Sequence, residues 1–204
     1  MLLTGFEPFG GRSVNPSAEV AQALDGVVVC GHRVVGTVLP CVFRTSFHAL
    51  ETQILRHNPR LIICLGQAEG RAGITPERVA INTQDAPAAD NAGQRFSGKP
   101  VVPGGRVAYW STLPIHAIVT ALQEAGIPAG ISSSAGTFVC NDVFYRLMRL
   151  LERRPTPRPP GGFVHLPLLP AQAEAGQPSL AMDAQIKAIR TAIEVCLEAV
   201  RTTA

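Results

Sequence analysis

Leu61-Ile62-Ile63-Cys64-Leu65 sets five apolar residues in a row, preceded by the helix-stopping pair Asn58-Pro59 and closed by Gly66. A strand points successive side chains to opposite faces, so a run without a polar position has to be covered on both faces. That requirement disfavours a half-exposed antiparallel sheet and asks for helices on either side of a parallel one. The chain supplies them. Phe43, Phe47, Leu50 and Ile54 recur at spacings of four, three and four, which places them on one helix face. Asn15-Pro16-Ser17 offers a capping side chain and a proline suited to the first helical position, predicting a helix over Pro16–Leu24. Further helices are expected around Ile115–Leu122, after Cys140 through Leu151, and over Leu180–Val200.

Between them lie strand-like runs at Met1–Thr4, at the pair Val27–Cys30 and Val34–Leu39 split by Gly31-His32, and at Val79–Ile81, Ala129–Ser132 and Phe163–His165. Residues 84–106 show no period and read as a long loop, a kind often used for function. No internal repeat is present. The alternation implies an α/β fold: a three-layer α/β/α arrangement with an open, mostly parallel twisted sheet, in one domain spanning residues 1–204.

Composition narrows the function. With 16% charged residues, 46% hydrophobic residues and a net charge of +3, a packed globule is expected and a nucleic-acid footprint is not. The densest basic group, Arg146, Arg149, Arg153, Arg154 and Arg158, reads as a solvated helix face. No apolar run approaches the roughly 18 residues of a membrane span. The start, Met1-Leu2-Leu3-Thr4-Gly5, lacks the layout of a signal peptide. Five widely spaced cysteines disfavour a disulfide framework and suit a reducing compartment, so the expected location is cytoplasmic. No metal or cofactor is expected: there is no H-x-x-x-H, no Cys/His cluster, and Gly5–Gly11 lacks the Gly-Lys-Ser/Thr ending of a phosphate loop.

Four stretches follow expected strands: Gly5-Phe6-Glu7-Pro8-Phe9-Gly10-Gly11, Gly66-Gln67-Ala68-Glu69-Gly70-Arg71, Ser134-Ala135-Gly136-Thr137-Phe138-Val139-Cys140-Asn141, and His165-Leu166-Pro167. In open α/β sheets ligands bind beyond the carboxyl ends of the strands, so these four are expected to converge in one crevice. Cys140 falls in the opening turn of a helix, where unpaired N–H groups and the helix dipole ease ionisation of a thiol. Of the five histidines, only His165 ends a strand at the crevice edge, where it can take the thiol proton and later give it to a leaving amine. A carboxylate to orient the imidazole is open at this point among Glu7, Glu69, Glu77, Asp85 and Asp90. Phe6, Phe9 and Phe138 in crevice loops suggest an apolar pocket; Cys64 and Cys196 read as core.

Together with Asn15-Pro16-Ser17, Thr75-Pro76-Glu77-Arg78-Val79-Ala80-Ile81-Asn82 and Phe163-Val164-His165-Leu166-Pro167, these stretches resemble pyroglutamyl peptidase type I, the pyrrolidone-carboxylate peptidase family of cysteine peptidases. The matching blocks keep the family's order over nearly the whole chain. The resemblance implies a triad of Cys140, His165 and Glu77, and release of an N-terminal pyroglutamyl residue from peptides through a thioacyl intermediate, without metal or cofactor. It also implies substrate contacts at Phe6, Phe9, Asn15, Gln67, Phe138 and Val139, and a cytosolic homotetramer. Where the family usually reads Ala-Arg-Ile-Pro-Asp-Asn, this chain has Ala86-Pro87-Ala88-Ala89-Asp90-Asn91, from which a looser acyl pocket is expected. The alternative reading is a catalytically weak paralogue that binds a lactam or a peptide N-terminus.

Overall fold

The structure is a computed structural model and describes residues 1–202. In chain order its elements are β1 (Leu2–Phe6), α1 (Pro16–Ala23), β2 (Val28–Val29), β3 (His32–Arg33), β4 (Val35–Leu39), α2 (Thr45–His57), β5 (Ile62–Gln67), β6 (Thr75–Pro76), β7 (Val79–Ile81), β8 (Ala108–Trp110), α3 (Ile115–Glu124), α4 (Val139–Glu152), β9 (Gly161–Leu166), a 3₁₀ turn at Pro170–Gln172, and α5 (Met182–Thr202). The main sheet has the order β4-β1-β5-β9-β6, with the first four strands parallel and β6 antiparallel to β9.

Strand periodicity divides the core. Leu3, Ile63, Leu65 and Val164 pack on one face with Val20, Ile118, Leu122, Ile189 and Ile193 of α1, α3 and α5. Leu2, Ile62, Cys64 and Phe163 pack on the other with Leu50, Ile54, Val143, Phe144 and Leu147 of α2 and α4. The result is the expected three-layer α/β/α arrangement. β5 is buried along its whole length, and each of its leucines and isoleucines contributes about 1.5–3 kcal/mol. After β1 the chain places β4 on one side and β5 on the other. The loops leaving β1 and β5 therefore diverge at their carboxyl ends, the position at which open α/β sheets bind ligands.

Two strand expectations are corrected. Val27–Cys30 and Val34–Leu39 meet only at their Val27 and Val34 ends, where the Val34 N–H donates to the Val27 carbonyl at 2.8 Å. Cys30 and Gly31 both take positive φ, 47° and 77°, the backbone of a two-residue hairpin turn, so Val28–Val29 closes onto His32–Arg33. That releases β4 to lie beside β1. Ala129–Ser132 forms no continuous strand but two isolated bridges, Ile74 to Ala129 and Glu77 to Ser132. Its partner β6 has only two residues, which leaves no ladder to extend. Residues 84–106 are irregular as expected, with one bridge between Gln84 and Lys99.

Candidate active site

Cys140 is the second residue of α4. The preceding Phe138 is extended and provides no side-chain cap, so the N–H groups of Val139, Cys140 and Asn141 have no carbonyl within the helix. Contacts aim this turn. The Oδ1 of Asn141 accepts the Ile81 N–H at 3.0 Å, and its Nδ2 donates to the carbonyls of Ile81 at 2.8 Å and Thr83 at 3.0 Å. Asp142 accepts from Gln84 Nε2 at 2.7 Å. Both side chains are fully buried, so β7 and the segment after it hold the helix start.

Sequence reasoning gave Gly66 no role, yet it decides where the sulfur lies. A Cβ on Gly66 would sit 2.9 Å from Cys140 Sγ and 2.8 Å from Cζ of Phe163. The thiol therefore rests against bare backbone. Gly66 is in register with His165 across β5 and β9, and paired strands lie about 4.8 Å apart, so sulfur and imidazole share one end of two strands. The signal was a glycine ending an apolar run, which sequence cannot tell from a plain turn.

His165 is 4% exposed, and its Nδ1 lies 2.7 Å from Oε1 of the wholly buried Glu77. Antiparallel pairing of β6 with β9 delivers Glu77 there. The other candidate carboxylates are engaged elsewhere. Glu7 accepts from Cys41 N–H and Asn91 Nδ2, Glu69 pairs with Arg12 at 2.7 Å, Asp85 accepts from Gly98 N–H, and Asp90 accepts the N–H groups of Phe43, Ala92 and Gln94. Of the histidines, His32 contacts the Cys30 carbonyl and His48 lies near Glu51, both outside this cluster.

Burial corrects the expected ionisation of the thiol. It pushes Cys140 well above the ordinary thiol range, with Cys41 and Glu77 adding to the shift, and outweighs the lowering by Arg71 and the helix start. Burial likewise lowers His165, against the raising effect of the Glu77 hydrogen bond and charge. Both shifts favour the uncharged forms of the two groups, although Cys140 is only half-buried. Burial alone would raise Glu77, but the His165 hydrogen bond and charge, with Ser132 and Arg71, bring it below its usual value of 4.5.

These shifts predict a two-stage loss of stability in acid. His165 is depressed in the fold, so the unfolded chain takes up that proton first and stability declines as pH falls from 6.5 through the lower folded value. Glu77 is depressed too, so its contribution is complete above 4.5 and vanishes as pH falls through its own folded value. Urea midpoints measured from pH 7 to pH 3 are expected to show both stages, and Glu77→Gln is expected to abolish the lower one. An unchanged slope below pH 4.5 in that variant would contradict this assignment.

The expected substrate contacts divide into two groups. Phe9 and Phe138 are half-buried with ring centroids 5.8 Å apart, and Phe138 also meets Phe43 edge-on at 5.4 Å. Phe6 and Val139 are buried in the core, Phe6 lying 6.3 Å from Phe163. Asn15 is 1% exposed and caps α1; its Oδ1 accepts from Ser17 and its Nδ2 donates to the Glu7 carbonyl, so it braces the turn after β1. Gln67 Oε1 accepts from Gln172 Nε2 at 3.1 Å, which turns its own Nε2 away from Gln172. Gln172 was not expected from the sequence, because it reaches Gln67 only through the 3₁₀ turn. Pro87 and Ala88 are exposed beside the buried Ala86. Among the described residues no cluster of three or more His, Cys, Asp or Glu suits a metal ion, and no helix is long and apolar enough to cross a membrane.

A thiol at a helix start, an imidazole on the neighbouring strand and a buried carboxylate behind it are the equipment of a cysteine-type hydrolase. The family model described as pyroglutamyl peptidase matches residues 1–199. A pyrrolidone-carboxylate peptidase of Bacillus cytotoxicus is 52% identical over 97% of this chain and 93% of its own length; one from Klebsiella pneumoniae is 51% identical over 97% and 92%. The crystal structure of Bacillus amyloliquefaciens pyroglutamyl peptidase I superposes with a TM-score of 0.92 at 45% identity, covering 96% of this chain and 95% of that one. The chain belongs to the pyroglutamyl peptidase family.

Proposed function

We propose that this chain, as one domain, removes an N-terminal pyroglutamyl residue from peptides, with Cys140 as nucleophile, His165 as general base and acid, and Glu77 as the group that orients and stabilises the imidazolium. The observation that carries this is the contact chain: Cys140 Sγ against Gly66, Gly66 in register with His165, and His165 Nδ1 at 2.7 Å from Glu77. The neutral thiol gives its proton to His165 as it attacks the carbonyl that follows the lactam. The protonated imidazole then protonates the departing amine, leaving a thioacyl enzyme that water hydrolyses with His165 as base. The N–H groups of Val139, Cys140 and Asn141 are suited to the developing oxyanion. Phe9 and Phe138 supply an apolar wall for a neutral ring, and the Gln67 segment its polar contacts.

Free cysteines suit a reducing compartment. They and the family resemblance support a cytoplasmic location, and the resemblance supports a homotetrameric assembly.

The test is release of a fluorogenic amine from a pyroglutamyl amide, with a prolyl amide as control. A pocket that hydrogen-bonds the lactam leaves buried groups unpaired when the ring carbonyl is missing, so the prolyl amide is expected to be slower by about 10,000-fold in kcat/KM. Comparable rates on the two amides would remove the substrate assignment.

A further inference from the structure

We propose that Arg71 is a positioning residue for the Cys140, His165 and Glu77 set: one cation that braces the three segments carrying them and sets the pH range in which they work. This rests on the reading of the site given above. The Nη1 of Arg71 donates to Glu77 Oε1 at 2.7 Å, the same oxygen that faces His165 Nδ1, and to Thr75 Oγ1. Its Nη2 donates at 3.1 Å to the carbonyl of Ser134, six residues before the nucleophile. Thr75 in turn donates to the His165 carbonyl at 3.4 Å and is in register with it. One planar fork thus joins the loop after β5, the carboxylate after β6, the histidine strand and the loop that enters α4. Lysine, a point charge, cannot span these acceptors at once.

The charge matters as much as the geometry. Glu77 is wholly buried, and the Arg71 side chain, 24% exposed, covers it. The nearby Glu69 is turned to Arg12 and Gln177, so it does not neutralise Arg71. The titratable groups facing the set are His165 from β9, Cys140 from α4, Glu77 after β6, and Cys41 from the connection after β4, with Glu7 and Asp90 behind it. Among these described groups Arg71 is the permanent cation. It favours the thiolate of Cys140 and the carboxylate of Glu77, and disfavours a resting imidazolium at His165, so all three groups titrate lower in its presence.

The experiment compares pH profiles of kcat/KM on a pyroglutamyl amide for wild type, Arg71→Gln, Arg71→Met and Arg71→Lys, with folding checked by circular dichroism. Removing the cation is expected to lower the optimum rate by about tenfold or more and to move both limbs of the profile up by roughly half to one pH unit. Arg71→Lys is expected to return the limbs to their wild-type positions while recovering only part of the rate. A rate loss with unmoved limbs, or loss of the fold in both neutral variants, would make Arg71 a structural brace only and overturn the proposal. Failure of the underlying reading looks different: wild-type protein then shows no turnover that depends on Cys140.

Discussion

Cys140→Ala is expected to reduce turnover of a pyroglutamyl amide by at least about 10,000-fold while the protein remains folded. The effect is large because, in the proposed mechanism, the other groups at the site act through the sulfur. His165 has no proton to take and Glu77 no imidazolium to stabilise once the nucleophile is gone. The fold should tolerate the change, since α4 is held at its start by Asn141 and Asp142, whose bonds to Ile81, Thr83 and Gln84 do not involve the thiol. Groups that work as a unit are strongly non-additive, so Cys140→Ala combined with His165→Ala is expected to be no slower than Cys140→Ala alone. Residual activity of a few per cent in the single variant would remove Cys140 from the mechanism. A double variant that is much slower again would mean that His165 acts without it.

Gly66→Ala carries the second largest expected effect and tests the geometry rather than the chemistry. The added methyl would meet Cys140 Sγ at 2.9 Å and the Phe163 ring at 2.8 and 2.9 Å, so something has to move. Overpacking of this kind costs about 1–3 kcal/mol of stability. A displacement of about 1 Å at a nucleophile costs about 100-fold in rate, and the loss is expected in kcat. The two clashes can be separated by adding Phe163→Leu, which relieves the ring contact and leaves the sulfur contact in place. Stability is then expected to recover while the rate stays low. Recovery of both would assign the clash to Phe163 and release Gly66 from any role in placing the thiol; full activity in Gly66→Ala would do so at once.

Much of the scaffold is legible in local patterns. Asn15-Pro16 does start a helix, with Asn15 accepting the Ser17 N–H as the cap, and the unbroken apolar run becomes a strand buried throughout. Cys140 does open a helix, and His165 does lie at the carboxyl end of its strand, one residue before the last. These features persist because each depends on neighbours within a few residues. Strand partners do not. A hairpin turn at Cys30-Gly31 that consumes only two residues is nearly invisible beside the longer Val34–Leu39 run, and it redirects β4 to β1. The three-residue β8, paired with β7, carries too short a pattern to stand out. The ionisation of Cys140 shows the same division: the helix start that lowers it is local and readable, whereas the burial that raises it further depends on tertiary packing, with the sulfur lying against Gly66 of β5.

By itself the amino-acid order determined the layered α/β architecture, the placement of three of the four loops at strand ends, and the choice of cysteine and histidine, because periodicity, caps and strand ends are set by residues close in the chain. Residue patterns left five carboxylates open and the family resemblance singled out Glu77; only the tertiary structure decided how Glu77 reaches the imidazole, that Gly66 clears the space for the sulfur, and that Arg71 and Gln172 stand behind Glu77 and Gln67. Those contacts join residues from 6 to 105 positions apart, and contacts of that kind depend on strand order and register, which no local pattern encodes.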